Sequence, residues 1–369
     1  MRAYILRRLI LAVPTVIGAT LLVFVLMAAT PGGIGGSLRG DGDSGLVSST
    51  ASAAARREYL NERYGLESPV LVQYGRWLAG VLPVKFGGPL GVVGVGGPDL
   101  GRSMQNDRPV VAILAERVPV SLGLNVAALL VVCLIAIPSG ALAGLRAGGW
   151  WDRLSSAAWL LLWSVPIVWA GAMVLHLLAG QSAVFAGWWG ESGGRAVFPI
   201  GGIRSSDAGE WASFWPGSDA GGRWRRGLAL DTLWHVCLPV VCLAYADIAI
   251  LARMTRSATV DGAGADHVRT AVAKGLSPGA VARRHVLRPS LVAIITLLAS
   301  SMGGLIAGSV IVESVFDLPG MGRLVMEAIQ AGDRELLLGT VLLLTVLNVG
   351  AMLIADVLYA RLDPRVELR

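Results

Sequence analysis

The chain has 369 residues, of which 54% are hydrophobic and 15% charged, a balance that excludes a water-soluble globular domain and indicates a membrane protein. The formal net charge is +6, but the basic residues are almost all arginines beside apolar runs, which is typical of membrane topology and not of a nucleic-acid-binding face. Cys133, Cys237 and Cys242 lie in apolar stretches and are interpreted as core residues, so neither a disulfide framework nor a zinc site is predicted.

The amino terminus begins with the basic residues Arg2, Arg7 and Arg8 and then stays apolar from Leu9 to Ala29. The apolar core of a cleaved signal peptide is shorter, roughly 7 to 15 residues, whereas about 20 residues are needed to cross a bilayer. We therefore predict that residues 1–30 form the first transmembrane helix.

Residues 31–117 are predicted to form an extracytoplasmic loop region. Its first part is rich in Gly, Ser and Ala without periodicity, which indicates an exposed loop. Two short amphipathic helices are predicted after it, at Arg56–Tyr64 and Pro69–Leu82. In the second of these, Tyr74 and Trp77 are aromatic residues of the kind found at the membrane interface.

Five further apolar runs are each long enough to cross about 30 Å of hydrocarbon as a helix. They are Ser121–Leu145, Ala157–Gly180, Leu233–Leu251, Ser290–Val312 and Leu336–Ala360. Continuous runs of this length exclude the alternating pattern of a membrane β-barrel. The predicted fold class is an all-α membrane protein with six transmembrane helices.

The last five helices form a predicted core domain, residues 118–361, followed by a tail at 362–369. A cytoplasmic loop at 253–289 and an extracytoplasmic insertion at 181–232 interrupt this domain. The insertion is rich in tryptophan: Trp188, Trp189, Trp211, Trp215 and Trp224. We interpret these tryptophans as interfacial anchors, with a docking surface as the alternative.

The distribution of basic residues predicts the orientation of the chain. Inner segments collect arginines such as Arg8, Arg153 and Arg256, whereas the outer turn between the last two spans has only Arg323 and Arg334. Both termini are therefore predicted to be cytoplasmic, since cytoplasmic flanks carry an excess of Lys and Arg. The insertion disagrees because it also holds arginines, but the opposite orientation would place more positive charge outside.

Polar side chains inside the predicted spans are costly, because an ionised group at mid-bilayer costs roughly 2.5 to 3.5 kcal/mol. Asp247 lies six residues before Arg253, which favours a structural ion pair near the inner boundary over a proton relay. Asn125, His176 and Asn348 are predicted to form hydrogen bonds between helices. Close helix packing is predicted at four small residues of the fifth span, Gly303, Gly304, Ala307 and Gly308.

The basic loop 253–289 contains two helix signals in succession. Gly275 follows a helix-forming run and suits the left-handed position just past a helix end. Ser277 offers an N-cap and Pro278 the favoured first helical position, so a second helix is predicted to start at once. We predict that this helix ends at Arg288, because the proline that follows disfavours helical geometry in the residue before it.

A sharply patterned turn follows the fifth span. Residues 312–339 read VESVFDLPGMGRLVMEAIQAGDRELLLG. Pro319 and Gly320 predict a reversal of the chain, and Met321–Gln330 a short helix at the outer surface.

Both segments resemble a known family. The run DHVRTAVAKGLSPGAVARRHVLRPSL, which starts at Asp266, is similar to the cytoplasmic coupling loop of binding-protein-dependent ABC transporter permeases of the dipeptide, oligopeptide and nickel branch. The family commonly has Tyr where this chain has His267 and Arg where it has Val272. The outer turn, the Arg-Arg pair of the first span, FPIGGI and the closing LDPRVE resemble the same family in the same order. The resemblance leaves out 33–55 and much of 204–228.

The resemblance implies a type I ABC importer permease fold and two sets of functional residues. The ATPase-coupling loop contains Asp266, His267, Arg269, Thr270, Ala273, Lys274, Gly275 and Leu276. The outer turn, which faces the binding protein and the outer gate, contains Glu313, Phe316, Pro319, Gly320, Gly322 and Asp333.

The chain has no nucleotide-binding motif of its own. Its two lysines, Lys85 and Lys274, follow Val84 and Ala273, so no GK[ST] phosphate-binding loop is present. The resemblance implies that ATP and Mg²⁺ are bound by two partner ATPase subunits and that this chain carries no cofactor. It also implies a second, paralogous permease subunit, an extracytoplasmic substrate-binding protein and a lipid bilayer as partners. The expected protein is an inner-membrane, multi-pass permease subunit and not an enzyme.

Alternatives remain at the level of substrate and energy source. Di- or oligopeptides are the expected substrates, with nickel as the alternative within the branch, since a binding protein would supply the imidazole or thiolate ligands that nickel prefers. An ion-driven secondary transporter is expected to show inverted repeats and interrupted helices with buried acids, which the sequence does not show. Ser139 with His176 is the nearest approach to an intramembrane hydrolase, and GESGG at Gly190 lacks the strand and helix of a nucleophile elbow.

Overall fold

The computed structural model describes residues 2–29, 58–82, 84–86, 93–95, 98–179, 198–205, 214–218, 224–225, 227–301 and 309–362. Several predicted features lie outside the described residues: the loop 32–55, Trp188, Trp189 and Trp211, the string GESGG, the small residues within 303–308 and the tail from residue 363.

The described chain is almost entirely helical. In order, the helices are α1 (Arg2–Ala29), α2 (58–64), α3 (Val70–Val81), α4 (Val110–Leu145), α5 (Trp150–Ser164), α6 (Ile167–Val174), α7 (Gly227–Ala263), α8 (Asp266–Ala273), α9 (Pro278–Val281), α10 (Arg288–Ser301), α11 (Val310–Val315), α12 (Met321–Gln330) and α13 (Arg334–Leu362). Wider π-helical turns extend α6 over Leu175–Ala179 and join α9 to α10 over Ala282–Leu287.

Two short antiparallel ladders lie between the helices. Strand β1 (Val84–Phe86) pairs with β2 (Val93–Val95), and β3 (Gly217–Ser218) pairs with β4 (Trp224–Arg225). Neither ladder is long enough to form a layer of the fold. The predicted all-α class is therefore confirmed.

Within the described residues, four helices are long and apolar enough to cross a membrane. They contain Leu6–Ala29, Val110–Leu145, Gly227–Ala263 and Arg334–Val357. The pair α5 and α6 would be a fifth span if it counts as one bent crossing. The remaining predicted run, Ser290–Val312, is helical in α10 and again from α11 onward, and residues 302–308 lie outside the description. The total of six spans stays a prediction.

The predicted span Ala157–Gly180 is interrupted, contrary to the expectation of continuous helices. The chain bends by 95° between α5 and α6. Val165 is extended, with φ −82° and ψ 121°, because the ring of Pro166 disfavours helical geometry in the residue before it. The hydroxyl of Tyr245 donates to the Val165 carbonyl oxygen at 2.6 Å, so this carbonyl is satisfied despite the break.

The predicted helix end at Arg288 is wrong. Arg288 has helical angles, φ −61° and ψ −44°, and α10 continues through Pro289. The π-helical turn directly before it explains why. A proline lacks the N–H that an α-helix needs and its ring crowds the carbonyl one turn earlier, and the wider turn moves that carbonyl away.

The chain divides into two compact units, one formed by Met1–Glu116 and Val325–Val349, the other by Arg117–Leu324 and Gly350–Arg369. In the first unit, α3 packs on α1. The hydroxyls of Tyr74 and Thr20 are 2.9 Å apart, and the Tyr74 ring lies edge-on to Phe24 at 5.5 Å. Tyr74 and Trp77 are buried and form part of the core of this unit, and their position at the membrane interface stays a prediction.

In the second unit, α7 is the central helix and packs against α5, α6, α10 and α11. Its apolar core contains Trp159, Leu238, Val312, Phe316 and Leu318. Glycines bring α4 close to α7: a methyl group at Gly140 would collide with the Ala252 carbonyl oxygen, and one at Gly144 would lie 2.6 Å from the Thr259 Cβ. This half of the chain therefore owes its tight packing to small residues.

The polar residues of the spans behave differently from the predictions. Asn125 donates to the Ser121 carbonyl oxygen of its own helix at 2.8 Å, and not across helices. Asp247 is exposed on α7, and the structural ion pair predicted for it is not formed with any described residue. The guanidinium of Arg253 lies instead 5.8 Å from the centre of the Trp163 ring. The side-chain oxygen of Asn348 is buried and accepts no hydrogen bond from any described group.

Candidate functional site

The segment that the sequence predicts to be the coupling loop, residues 265–287, is called the coupling segment below. It consists of α8, a break at Gly275, α9 and the π-helical turn. Ala265 is extended and α8 begins at Asp266. At its end the Gly275 N–H donates to the Val272 carbonyl at 2.9 Å, and the Leu276 N–H donates to the Ala271 carbonyl at 3.4 Å. This pair of bonds is a Schellman motif, which requires a left-handed residue after the helix. Gly275 supplies it with φ +76°, as predicted.

The second helix begins as predicted. Ser277 occupies the N-cap position and Pro278 the first helical position. The Ser277 side chain makes no capping hydrogen bond; its carbonyl oxygen accepts from the Val281 N–H at 3.0 Å. The first hydrogen bond of this helix is therefore made by the backbone carbonyl of Ser277, and the Ser277 hydroxyl does not cap the helix.

A small apolar cluster holds the two halves of the coupling segment together. Val268 and Ala271 of α8 are buried with Val281 and Val286 of the following turn. His267 adds a polar link, because its Nε2 lies 2.9 Å from the His285 carbonyl oxygen. The segment is therefore one rigid piece and not two independent helices.

The opposite surface of the segment is exposed. It presents Arg269, Thr270, Val272, Ala273, Lys274, Gly275 and Leu276. Asp266 pairs with Arg269 at 3.3 Å, but both side chains lie in solvent, where such a pair contributes little to stability. An exposed face with apolar, cationic and backbone groups on a rigid support is suited to docking a partner.

The first part of the outer turn, with the residues just before it (309–323), is built around the buried carboxylate of Glu313, which is only 2% exposed. The Ser121 hydroxyl donates to one carboxylate oxygen at 2.7 Å, and the Arg323 N–H donates to the other at 2.9 Å. The Ser121 oxygen in turn accepts from the Met321 N–H at 2.7 Å. A buried carboxylate needs such donors, and here they fix the start of α12 on α4.

Two glycines permit this arrangement. A methyl group at Gly320 would collide with the Glu313 carboxyl group, and one at Gly322 would lie 2.6 Å from the Val310 nitrogen. Pro319 and Gly320 form the predicted reversal, after which α12 spans Met321–Gln330. Phe316 is buried in the apolar core below the turn.

The FPIGGI stretch packs under the same turn. Phe198 stacks on Trp234 with ring centres 4.3 Å apart, and the Gly202 N–H donates to the Phe316 carbonyl at 3.1 Å. Gly201 leaves no room for a side chain, because a methyl group there would lie 2.8 Å from that carbonyl oxygen. Ser205 then anchors the stretch to α7 through two hydrogen bonds to Asp231, at 2.8 and 2.6 Å.

Asp333 does not join the Glu313 cluster; its partners all lie in the other compact unit. It caps α13 by accepting from the Leu336 N–H at 3.1 Å and accepts from the Ser103 hydroxyl at 2.6 Å. Next to it, the fully buried carboxylate of Glu335 is paired with Arg63 at 3.1 Å. Burial alone would lower the pKa of Arg63, but the charge of Glu335 and a hydrogen bond to Asp99 raise this pKa above its ordinary value.

The residues that the sequence did not single out are the partners of these carboxylates. Ser121 contacts Glu313, Ser103 contacts Asp333 and Glu335 pairs with Arg63. The two partners in each pair are far apart in the sequence, so no local spacing of residues predicts the contact. Glu335 belongs to the stretch 312–339, which resembles the family, so the family pattern could have drawn attention to it.

Comparison with known proteins identifies the family of the chain. The sequence profile described as "Binding-protein-dependent transport system inner membrane component" matches residues 136–368. The chain belongs to this family. A companion profile for the N-terminal part of such components matches residues 1–125. The chain is therefore an inner-membrane, multi-pass permease component of an ABC transporter, with the predicted type I permease fold, and not a catalytic enzyme.

The permease also resembles curated proteins along its whole length. It is 31% identical over 367 residues to the oligopeptide transport system permease protein AppB of Bacillus subtilis (strain 168), covering 100% of both chains. It is 30% identical over 377 residues to the dipeptide transport system permease protein DppB of Escherichia coli (strain K12), covering 100% of this chain and 99% of the other.

Proposed function

We propose that this permease passes di- or oligopeptides through the inner membrane after an extracytoplasmic binding protein delivers them, driven by ATP hydrolysis on partner subunits. The names of the two relatives above support the substrate class. Nickel is the competing cargo, and identification of the ligand on the binding protein that copurifies with this chain decides between them. Recovery of peptides supports the proposal, and recovery of nickel without peptide overturns it.

One observation carries the coupling role: an exposed helix, α8, ends in a rigid Schellman motif and is braced on its inner side by Val281 and Val286. A flexible loop would deform when a docked partner moves, whereas a helix held by packing on both halves of the segment transmits the displacement. The proposed contact surface for the ATPase is Asp266, His267, Arg269, Thr270, Ala273, Lys274, Gly275 and Leu276.

The proposed assembly contains two ATPase subunits, which bind ATP and Mg²⁺, a second and paralogous permease subunit, and the binding protein. Closure of the ATPases would move α8 and shift the helix bundle between inward-open and outward-open states. On the outer side, the turn held by Glu313 is the proposed gate that faces the binding protein. Its rigidity suits it to move as a unit, because Ser121 and the Arg323 backbone both hold its carboxylate.

The proposed orientation has both termini in the cytoplasm, and it makes a labelling prediction. In a chain whose three native cysteines are replaced, a cysteine at Ser218 should react with a membrane-impermeant maleimide added outside, and one at Ala280 should not. The Ala280 cysteine should become reactive once the membrane is permeabilised, which controls for local access. The reverse pattern would contradict the orientation and the cytoplasmic position of α8.

Selectivity is predicted to reside mainly in the binding protein. His176 and Asn348 are polar residues of the predicted spans, and neither takes part in an ion pair with any residue that the structure describes, so neither is placed to hold a charged end of a peptide. Replacement of either by leucine should leave the rank order of competing peptides unchanged even if transport slows. Competition uptake assays in vesicles measure this order, and a reordering of peptides would show that this chain selects its cargo.

A further inference from the structure

The inner end of α7 carries an ion pair that the coupling segment does not include. The guanidinium of Arg256 engages Asp152 of α5 through two nitrogens, Nε to one carboxylate oxygen and Nη2 to the other at 2.7 Å. The Asp152 side chain is 5% exposed and that of Arg256 is 32% exposed. A two-pronged contact of this kind fixes direction as well as distance, because the guanidinium and carboxylate planes must align.

Asp152 also holds the inner turn between α4 and α5. One of its oxygens accepts from the Gly148 N–H at 2.9 Å, and Arg153 donates to the Gly148 carbonyl at 3.0 Å. Through this carboxylate, the turn, the first residues of α5 and the side of α7 are tied together. Movement of α7 therefore reaches the turn directly.

Arg256 lies close to where the coupling segment begins. Helix α7 ends at Ala263 and α8 starts at Asp266, so the guanidinium is attached about 10 Å from the end of the helix at 1.5 Å per residue. The same stretch of α7 contacts α10, where the Ser290 hydroxyl donates to the Ala258 carbonyl at 2.8 Å. On the α4 side the contact is between small residues, with Gly144 against Thr259.

These three supports differ in kind. Packed glycines and a single neutral hydrogen bond allow a helix to slide or rotate by small amounts, whereas a two-pronged ion pair resists rotation. A partly buried ion pair is a poor source of net stability, but removal of one partner leaves an uncompensated charge. The Asp152–Arg256 pair is therefore better suited to fix the orientation of α7 in one of two conformations than to stabilise the fold as a whole.

Resting on the coupling role proposed above, we infer that Asp152 and Arg256 are positioning residues that make α8, the inner end of α7 and the turn at Gly148 move as one body. A displacement of α8 is then transmitted to α5, and so to the bent pair α5 and α6. Without the ion pair, α7 could rotate and the displacement would not reach α5.

The test uses the assembled complex in vesicles with loaded binding protein. Asp152→Asn and Arg256→Gln should each reduce the stimulated ATPase rate and uptake by about tenfold, within the range of measured coupling energies, and leave the unstimulated ATPase rate unchanged. The matched control is Asp261→Asn, which removes an exposed charge from the same end of the same helix and should change these rates by no more than about twofold. The double variant Asp152→Arg with Arg256→Asp should recover part of the lost stimulation.

A second measurement separates positioning from folding and from the proposed function. Amide hydrogen exchange across residues 266–273 should be faster in both single variants than in the wild type. Arg256→Lys keeps the positive charge but cannot make the two-pronged contact, so its exchange rate should lie between those of the single variants and the wild type. Normal stimulation and unchanged exchange in the single variants would overturn the inference. If the wild-type complex is not stimulated by any loaded binding protein, the proposed function fails, and the exchange measurement still decides the role of the pair.

Discussion

Replacing Gly275 by valine is expected to uncouple the transporter without preventing its assembly. Gly275 has φ +76°, and no atom lies within 4 Å of where a Cβ would be placed, so the penalty comes from the backbone and not from a collision. For a residue with a side chain this conformation costs about 1 to 2 kcal/mol, and more for a β-branched one, which corresponds to about a tenfold change in the population of the native break. ATPase stimulation and peptide uptake in vesicles should fall by about that factor.

Three variants serve as controls for Gly275→Val. Gly275→Asn should retain most of the coupling, since asparagine tolerates the left-handed region. Gly279→Val places the same side chain four residues later, where there is space and no left-handed backbone, and should behave like the wild type. Neutralisation of the exposed Arg284 should also have a smaller effect, because nearby arginines can replace it. Equal activity of Gly275→Val and Gly279→Val would show that the break does not position α8.

Replacing Gly320 by alanine is expected to damage the outer turn. The new methyl group would occupy the position of the Glu313 carboxyl group and force it away from the Ser121 hydroxyl and the Arg323 N–H. A buried carboxylate that loses its donors costs about 3 kcal/mol or more. The purified complex should lose its folded peak at lower temperature in size-exclusion measurements, and uptake should fall with it.

Gly123→Ala provides the matched control for this prediction. It adds the same methyl group to α4, where nothing lies within 4 Å, so heat stability should be unchanged. The double variant Gly320→Ala with Glu313→Asp shortens the carboxylate side chain and should recover part of the loss. The role given to Glu313 would be disproved by a Gly320→Ala complex that is as heat-stable as Gly123→Ala.

Local signals predicted the helix ends well. Gly275, the start at Pro278 and the reversal at Pro319 and Gly320 follow from backbone preferences of single residues, which act over one turn of chain. The apolar runs were equally visible, because about 20 successive apolar side chains have few uses outside a bilayer. The same approach was wrong at Arg288, where a π-helical turn accommodates the proline, and it passed over Pro166, which bends a predicted span.

Contacts between distant parts of the chain could not be predicted in this way. Ser121 and Glu313 are 192 residues apart, Asp152 and Arg256 are 104 apart, and Ser103 and Asp333 are 230 apart. Nothing in the neighbourhood of either partner specifies the other, so Asp247, only six residues before Arg253, looked a better candidate for an ion pair than Asp152 and Arg256, which form one. The burial of Tyr74 and Trp77 in the core of their unit was not predicted for the same reason, because composition says that an aromatic residue is amphipathic but not what packs on it.

The membrane character of this protein, its family and the helix break at Gly275 could all be predicted from the sequence alone, because hydrophobicity and backbone preference are properties of short stretches. Only the tertiary structure decided which carboxylates are buried and which donors satisfy them. Burial removes water from every direction, so each of these charges needs partners from whichever helix lies alongside, and that neighbour is set by the packing of the whole unit.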